Sequence, residues 1–508
     1  MKKAGCKPNL ITYNTIIDAF CKGGQMDLAA NIMVSMQHKS ITPNVVTYST
    51  MIDGYGKLGR FEEAISLYHQ MKDAGIRPDR VSYNTLVDIY AKLGRFEEAL
   101  TSLFAKMKGE GLVPNVLTYS AIINAYSKGG MHREAKQVFE EFKSLGLKPD
   151  VVLYSALVDS YCKCGLVDDA VEMLQEMMQA GIQPNIVTYN SLIDAYGRNN
   201  QGVTPEFLRE STINPVKDGP LVPESMNKVQ HLQDNSGDHV NILAAVSVFH
   251  EMQQFGLKPN VVTFSAILNA CSRCASLQEA SVLLEEMRLF DSRVYGVAHG
   301  LLMGSRQHVW GEAEGLFDEI ARMDYATGAA FYNALTDVLW HFGQREGAQK
   351  VVVAAQRRQV WDNPFWLSEQ QFSLDLHLMS VGAAQAMIHV WLLDLRALLW
   401  EGRDLPHVLS ILTGWGKHSK VAGDSTLKRA VESHMLEIGA PFHVGKYNEG
   451  RLVCAGHVVR AWLQDPRTLD LLILRDIVFP SDFPSQRVRQ PEIRVLSFKE
   501  LHMGDSPG

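Results

Sequence analysis

Two kinds of residue in this 508-residue chain are spaced to do chemistry. The first is a set of small polar side chains, Asn14, Ser49, Asn84, Ser120, Ser155 and Asn190, recurring every 35 or 36 residues. Each has a later partner: Asn44, Asp79, Asn115, Asp150, Asn185 and, after a longer gap, Asn260. An amide or hydroxyl beside an amide or carboxylate can read the edge of an unstacked base. Aliphatic residues three positions earlier, Ile11, Val46, Val81, Leu117, Val152, Val187 and Val262, can hold the flat faces of that base. A cation column, Lys22, Lys57, Lys92, Lys128, Lys163, Arg198, Arg273 and Arg306, with His341 after it, offers phosphate contacts. The second kind lies near the C-terminus. Asp375 and His377 sit two residues apart, as they would on one face of a strand, and a His there can act as general acid or base. Downstream, Gly414-x-Gly416-Lys417-His418 could cradle a phosphate with backbone N–H groups and a lysine.

Each column also has a local explanation. Asn or Asp after proline is a favoured turn and N-cap residue. A cation in the last turn of a helix is stabilised by the helix dipole, by about 0.3–1 kcal/mol. The local reading accounts less well for two polar columns that persist together and stop together.

The elements that must position these residues follow from a 35-residue period. Pro followed by Asn or Asp occurs at Pro8, Pro43, Pro78, Pro114, Pro149, Pro184 and Pro259. Counting from the residue after each pair gives repeats at 10–44, 45–79, 80–115, 116–150, 151–185 and 186–260, then weaker ones at about 261–293, 294–328 and 329–363. In this frame the polar residue is position 5, its partner position 35 and the cation position 13. Position 20 is alanine nine times: Ala29, Ala64, Ala99, Ala135, Ala170, Ala245, Ala280, Ala313 and Ala348. Each unit reads as two helices. A glycine such as Gly59, Gly94, Gly130 or Gly165 closes the first, and the next Pro stops the second. The alanine lets the two helices approach, and such hairpins stack into an α-solenoid to bury their apolar faces.

The pattern Val45–Lys57, closing with Gly75-Ile76-Arg77-Pro78-Asp79, resembles the pentatricopeptide repeat family. The resemblance is specific over 1–290 and weaker from 291 to 363. It implies a right-handed α-solenoid that binds single-stranded RNA along its concave face, in a plastid or mitochondrion. Read with that family's code, the six pairs suggest 5′-Y-G-Y-G-A-Y-3′. Met1 to Asn9 aligns with the end of a repeat, Met71 to Asp79. The expectation is therefore a chain lacking upstream repeats and any targeting peptide.

From about 364 the texture becomes α/β. An apolar run at Phe372–Leu378 precedes a helical stripe through Ala383, Met387, Val390, Trp391 and Leu395. Val408–Leu412 reads as a buried strand, a helix is expected over about 425–438, and strands near 451–454 and 469–474. Leu374-Asp375-Leu376-His377 together with Thr413–Ser419 resembles the small MutS-related domain over about 370–475. Some members of that family nick nucleic acids, which makes Asp375, His377 and His418 the implied catalytic candidates and Gly414, Gly416 and Lys417 the phosphate-binding ones. The family usually has Gly after the His. Here Leu378 stands there, which suggests an altered path after His377. The alternative is that Asp375 and His377 only orient the turn.

The stretches Asn260–Arg288, Val294–Met303, Phe331–Trp361 and Leu409–Val421 resemble the plant plastid family named for the genomes-uncoupled phenotype. That implies a chloroplast component of plastid gene expression, protein homeostasis and plastid-to-nucleus signalling. The expected organisation is a mainly α chain: repeats over 1–363 with a loop insertion at about 200–239, an α/β domain over 364–479, and a flexible tail over 480–508.

Composition bounds the partners. Net charge is −7, and 21 % of residues are charged, so bulk charge does not draw this chain to nucleic acid. No run of apolar residues is long enough to span a membrane. Cys162-x-Cys164 and Cys271-x-x-Cys274 lack the second pair that a zinc site requires, so no metal or cofactor is expected. Three functions remain: a reader of single-stranded RNA or DNA, a scaffold for plastid proteins, and an RNA endonuclease.

Overall fold

The capping chemistry of the Pro-Asn/Asp pairs sets the helix starts. In a computed structural model describing residues 8–93, 97–198, 242–288, 290–304, 308–361, 364–367, 371–413, 425–445 and 448–475, Asn9, Asn44, Asp79, Asn115, Asp150 and Asn260 are N-caps. Each accepts a hydrogen bond from the backbone N–H three residues on, satisfying a donor the helix cannot. The helices so started pair into hairpins. They are α1 (Leu10–Lys22) with α2 (Met26–His38), α3 (Val45–Lys57) with α4 (Phe61–Asp73), α5 (Arg80–Lys92) with α6 (Glu97–Gly109), α7 (Val116–Lys128) with α8 (His132–Ser144), and α9 (Val151–Lys163) with α10 (Val167–Gln179). Then come α11 (Ile186–Arg198) with α12 (Ile242–Gln254), α13 (Val261–Cys271) with α14 (Leu277–Arg288), α15 (Ser292–Leu302) with α16 (His308–Ala321), and α17 (Tyr325–His341) with α18 (Arg345–Arg357).

The turn within a hairpin needs a left-handed residue, and glycine supplies it without a Cβ penalty: φ is 73° at Gly59 and 76° at Gly165. Gly94 and the expected insertion at about 200–239 lie outside the described residues. The position-20 alanines are fully enclosed, at 0 % exposure for Ala29, Ala64, Ala135, Ala170, Ala280, Ala313 and Ala348. The side chain of Ala99 lies outside the described ones. A tyrosine column, Tyr13, Tyr48, Tyr83, Tyr119, Tyr154 and Tyr189, is buried beside them.

The chain divides into two compact units, Met1–Thr188 and Tyr189–Gly508. In the first unit the leading helices stack in order, α1 on α3, α3 on α5, α5 on α7, α7 on α9. The second unit departs from that regularity. Helix α13 packs directly on α17, while α15 packs mainly on α14 and α16. The hairpin at 294–328 thus exists as expected, but its first helix stands outside the row of leading helices.

A five-stranded sheet follows, in the order β1-β2-β3-β5-β4. Its strands are β1 (Phe365–Leu367), β2 (Gln371–Asp375), β3 (Val408–Leu412), β4 (His443–Gly445) and β5 (Asn448–Ala455). Strands β2 and β3 are parallel, joined by the long helix α19 (Val381–Trp400), and the other pairs are antiparallel. Helix α20 (Thr426–Glu437) follows β3, and α21 (Gly456–Gln464) and α22 (Pro466–Leu472) close the chain. The strand expected at 469–474 is therefore a helix. Asp465 caps it and Pro466 occupies its first turn, a start signal that outweighs the short apolar run behind it. The apolar run at 372–378 is a strand only as far as Asp375.

Helix α19 joins the sheet to the last repeat. It packs on both α17 and α18, taking the place that the leading helix of a further repeat would fill. A Cβ on Gly382 would come 2.6 Å from Asp337 Oδ1 and 3.0 Å from Asp337 Cα, so only glycine fits at this seam. His389 on α19 and His434 on α20 share a buried hydrogen bond of 2.8 Å between their Nε2 atoms, with the Trp340 ring of α17 5.8 Å from each. Burial holds both imidazoles below their ordinary range; the first-order cause for each is lost hydration.

Candidate nucleic-acid interface

The position-35 residues carry more than a cap. Asn44 Oδ1 accepts from Thr47 N (3.1 Å), from the Thr47 hydroxyl (3.1 Å) and from Asn14 Nδ2 (3.2 Å). Asp79 Oδ1 accepts from Ser82 N (2.9 Å), the Ser82 hydroxyl (2.9 Å) and the Ser49 hydroxyl (3.0 Å). Asn185 Oδ1 does the same with Thr188 N (3.0 Å), the Thr188 hydroxyl (3.1 Å) and the Ser155 hydroxyl (3.4 Å). In these three repeats the position-5 residue lies within hydrogen-bond distance of the cap of the next repeat, although the Ser155 hydroxyl makes its shorter bond back to Val151 O (2.6 Å). Asn115 and Asn260 cap in the same way through Thr118 and Thr263, and Asp150 through Leu153 N.

This geometry separates the roles of the two columns. Ser49 and Ser155 are 5 % exposed and Asn190 8 %, whereas the cap side chains are half-buried or exposed. Position 5 therefore sits deeper than the cap, and Asn14 and Ser49 orient the cap from there. With Oδ1 committed inward, each cap keeps one group for a ligand. For Asn44, Asn115, Asn185 and Asn260 that group is the Nδ2 amide, a donor; for Asp79 and Asp150 it is the second carboxylate oxygen, an acceptor. Three position-5 residues behave differently. Ser120 turns its hydroxyl back to Val116 O (2.8 Å), and the carbonyl oxygens of Asn84 and Asn190 are buried without a hydrogen-bond partner.

Beside each cap stands the aliphatic column. Ile11 is 72 % exposed, Leu117 69 %, and Val46, Val81, Val152, Val187 and Val262 are exposed as well. Single exposed aliphatics are ordinary, but the same position exposed in seven repeats is a surface feature.

The cation column is not a bare positive strip. Lys22 pairs with Asp18 (2.7 Å), Lys57 with Asp53 (2.6 Å), Lys92 with Asp88 (2.7 Å), Lys163 with Asp159 (2.5 Å) and Arg198 with Asp194 (2.7 Å). The acid always lies four residues earlier, the favourable order along a helix. Asp53 holds the Lys57 ammonium above its ordinary range through its hydrogen bond and charge. The composition could have revealed this, because position 9 is Asp in every one of those repeats; Asn124 and Asn269 stand there before Lys128 and Arg273. The Lys128 side chain and Arg306 lie outside the described ones.

At the sheet, Asp375 ends β2, and His377 lies past the strand in a turn, not beside Asp375 on the same strand face. The two still meet. Asp375 Oδ1 accepts from His377 N (2.9 Å) and bonds His377 Nδ1, so Nε2 is the ring nitrogen this carboxylate does not hold, and both side chains are about half exposed. Leu378 has a φ of 69°, the left-handed conformation that glycine adopts without cost. Gly414, Gly416, Lys417 and His418 lie outside the described residues. Among the described residues no group of three or more His, Cys, Asp or Glu is placed to hold a metal ion. Cys271 and Cys274 are buried, and burial pushes both thiols up. No described helix is long and apolar enough to cross a membrane.

The model of the PPR repeat family matches residues 8–57, 43–92, 78–128, 114–159 and 149–198, and that of the PPR repeat matches 255–288. The chain is 26 % identical over 271 residues to the pentatricopeptide repeat-containing protein ATP4 homolog, chloroplastic, of Oryza sativa subsp. japonica, covering 46 % of this chain and 39 % of that protein. It is 26 % identical over 265 residues to ATP4, chloroplastic, of Zea mays, covering 46 % of this chain and 38 % of that one. It thus spans well under half the length of these relatives. A solved structure, the pentatricopeptide repeat protein PPR10 in complex with an 18-nt psaJ RNA element, is 20 % identical with a TM-score of 0.34, covering 86 % of this chain and 65 % of that one. The chloroplastic relatives support a plastid location. Capped hairpins of 35 residues, their alanine seams and the matched models agree: over residues 8–198 and 255–288 the chain is a pentatricopeptide repeat protein.

Proposed function

We propose that the chain binds single-stranded RNA along its caps and acts in plastid gene expression. The observation that carries this is the commitment of each cap Oδ1 to its own helix and, in three repeats, to the preceding position 5. A fixed donor then faces out at Asn44, Asn115, Asn185 and Asn260, and a fixed acceptor at Asp79 and Asp150. Acceptors match the N–H edge of guanine and donors match pyrimidine or adenine acceptors, consistent with 5′-YGYGAY-3′. The exposed aliphatics supply contact to the base faces.

A second reading, a scaffold for plastid proteins, is favoured by one observation: five of the column's cations are paired with their own aspartates, which weakens phosphate attraction. The finer expectations join this proposal: a small MutS-related domain over 364–479 with Asp375 and His377 as a reactive or turn-orienting pair, and a role in plastid-to-nucleus signalling.

Fluorescence anisotropy with YGYGAY RNA and a scrambled control tests both readings. RNA reading requires a preference for the first RNA. Asp53→Asn should release Lys57, tighten binding and steepen the dependence of affinity on salt. Equal binding to both RNAs, unaltered by Asp53→Asn, would favour the scaffold.

A further inference from the structure

The residue at position 3 of a repeat decides how firmly the cap just before it is held. After the six caps it is Thr47, Ser82, Thr118, Leu153, Thr188 and Thr263. All six side chains are buried, at 0 or 1 % exposure, so the place is the same and only the chemistry differs. Five carry a hydroxyl; Leu153 carries none.

The hydroxyl sits between the cap and the position-5 residue of the preceding repeat. That of Thr47 lies 3.1 Å from Asn44 Oδ1 and 2.7 Å from Asn14 Oδ1. That of Ser82 lies 2.9 Å from Asp79 Oδ1 and 2.8 Å from Ser49 Oγ. That of Thr188 lies 3.1 Å from Asn185 Oδ1 and 2.8 Å from Ser155 Oγ. Thr118 and Thr263 hold their caps at 3.0 and 3.2 Å without the further bond. Leu153 offers Asp150 its backbone N–H alone (2.9 Å). With no hydroxyl opposite it, Ser120 bonds Val116 O instead. The two aspartate caps therefore differ. Among the described residues Asp79 Oδ1 receives three donors and is half-buried, whereas Asp150 Oδ1 receives one and is exposed.

This difference bears on selectivity. A carboxylate clamped by three donors presents its outward oxygen at one angle, which suits the N–H edge of guanine. A carboxylate held by one bond turns to meet the amino group of adenine or cytosine as well. It also loses more side-chain freedom when a base fixes it. We propose that position 3 is the positioning residue that sets how strictly the cap before it discriminates among bases, and that Leu153 makes the fourth base of the RNA site permissive while Ser82 keeps the second strict. This rests on the RNA reading proposed above and deepens it.

The test uses the full chain and 5′-UGUGAU-3′ RNA between short uridine flanks, with adenine replacing guanine at the second or at the fourth base. The ratio of the two dissociation constants, adenine over guanine, is read at each position by fluorescence anisotropy. Each ratio is taken within one protein, so any loss of folded material cancels. In the parent the ratio at the second base should exceed that at the fourth by about three- to tenfold, the worth of immobilising one side chain. Leu153→Thr places at 153 the residue that four other repeats bury there. It should raise the ratio at the fourth base and leave the second unchanged. Ser82→Ala should lower the ratio at the second base and leave the fourth unchanged. Equal ratios in the parent, or ratios that neither variant moves, overturn the role of position 3 and leave the RNA reading standing. A chain that does not bind this RNA overturns the reading and the role together.

Discussion

Asn14 and Asn333 occupy the same repeat position and do different work. In the first unit Asn14 joins its repeat to the next cap through Asn44, and Ser49 does so through Asp79. In the second unit Asn333 and Asp337 hold the loop and helix of an α/β fold. The seam of the last repeat thus seats α19 through its Ser380 N-cap and Gly382. Buried charge shows the same contrast. Glu141 in the first unit is partly buried, which would raise its pKa, but hydrogen bonds from Lys108 (2.5 Å) and the Tyr119 hydroxyl (2.8 Å) hold it below the usual range. Glu251, at the same position of the sixth repeat, is 4 % exposed with one oxygen unpartnered, and burial pushes it up to about 7.

The largest expected effect tests the seam. Gly382→Val should destabilise the second unit by about 3 kcal/mol, since its side chain overlaps Asp337. Thermal unfolding measures this; a shift no larger than that of an exposed control would show that α19 is not seated as a repeat helix.

The next effect concerns Glu251. Its carboxyl keeps its proton up to about pH 7 when folded, while an unfolded chain loses it near 4.5. The folded state therefore loses stability as pH rises from about 4.5 to 7. Glu251→Gln should remove up to roughly 3 kcal/mol of that loss. The variant should gain melting temperature over the parent at pH 8 and little at pH 5. An equal difference at both would mean the carboxylate is not held in its protonated form.

The smallest effect separates capping from reading in the first unit. Asn44→Ala should cost about 1 kcal/mol, the loss of a cap. Asn44→Asp keeps the inward acceptor, so stability should change by less than about 0.5 kcal/mol. In binding assays its outward donor becomes an acceptor, and base preference at that repeat should move from pyrimidine toward guanine. A stability loss in Asn44→Asp as large as in Asn44→Ala would break the division of labour between Oδ1 and Nδ2.

Much of this was legible in the chain because repetition exposes local rules. Pro-Asn/Asp pairs placed the caps, the glycines placed the turns, and an alanine every 35 residues placed the helix contact. The position-13 strip was legible only in part. Its lysines stood out, while the aspartates four residues before them, equally periodic, pass for ordinary surface charge. Near 469–474 an apolar run suggested a strand, but Asp465 and Pro466 start a helix that runs to Leu472. Both differences come from weighing one residue class without its neighbour.

The sequence by itself determined the hairpins, their period and their caps, since these rest on interactions within about four residues or on a pattern recurring many times. Tertiary structure alone decided three things. It passed over α15 and set α13 on α17. In three repeats it brought the cap Oδ1 within reach of position 5 of the preceding repeat, 30 residues away. It drew Asn333 to Leu378 and Ser380, 45 and 47 residues away. Such contacts depend on which surfaces meet when helices stack, and a single polar side chain of the same type serves a base, a cap or a neighbouring domain according to what the packing sets before it.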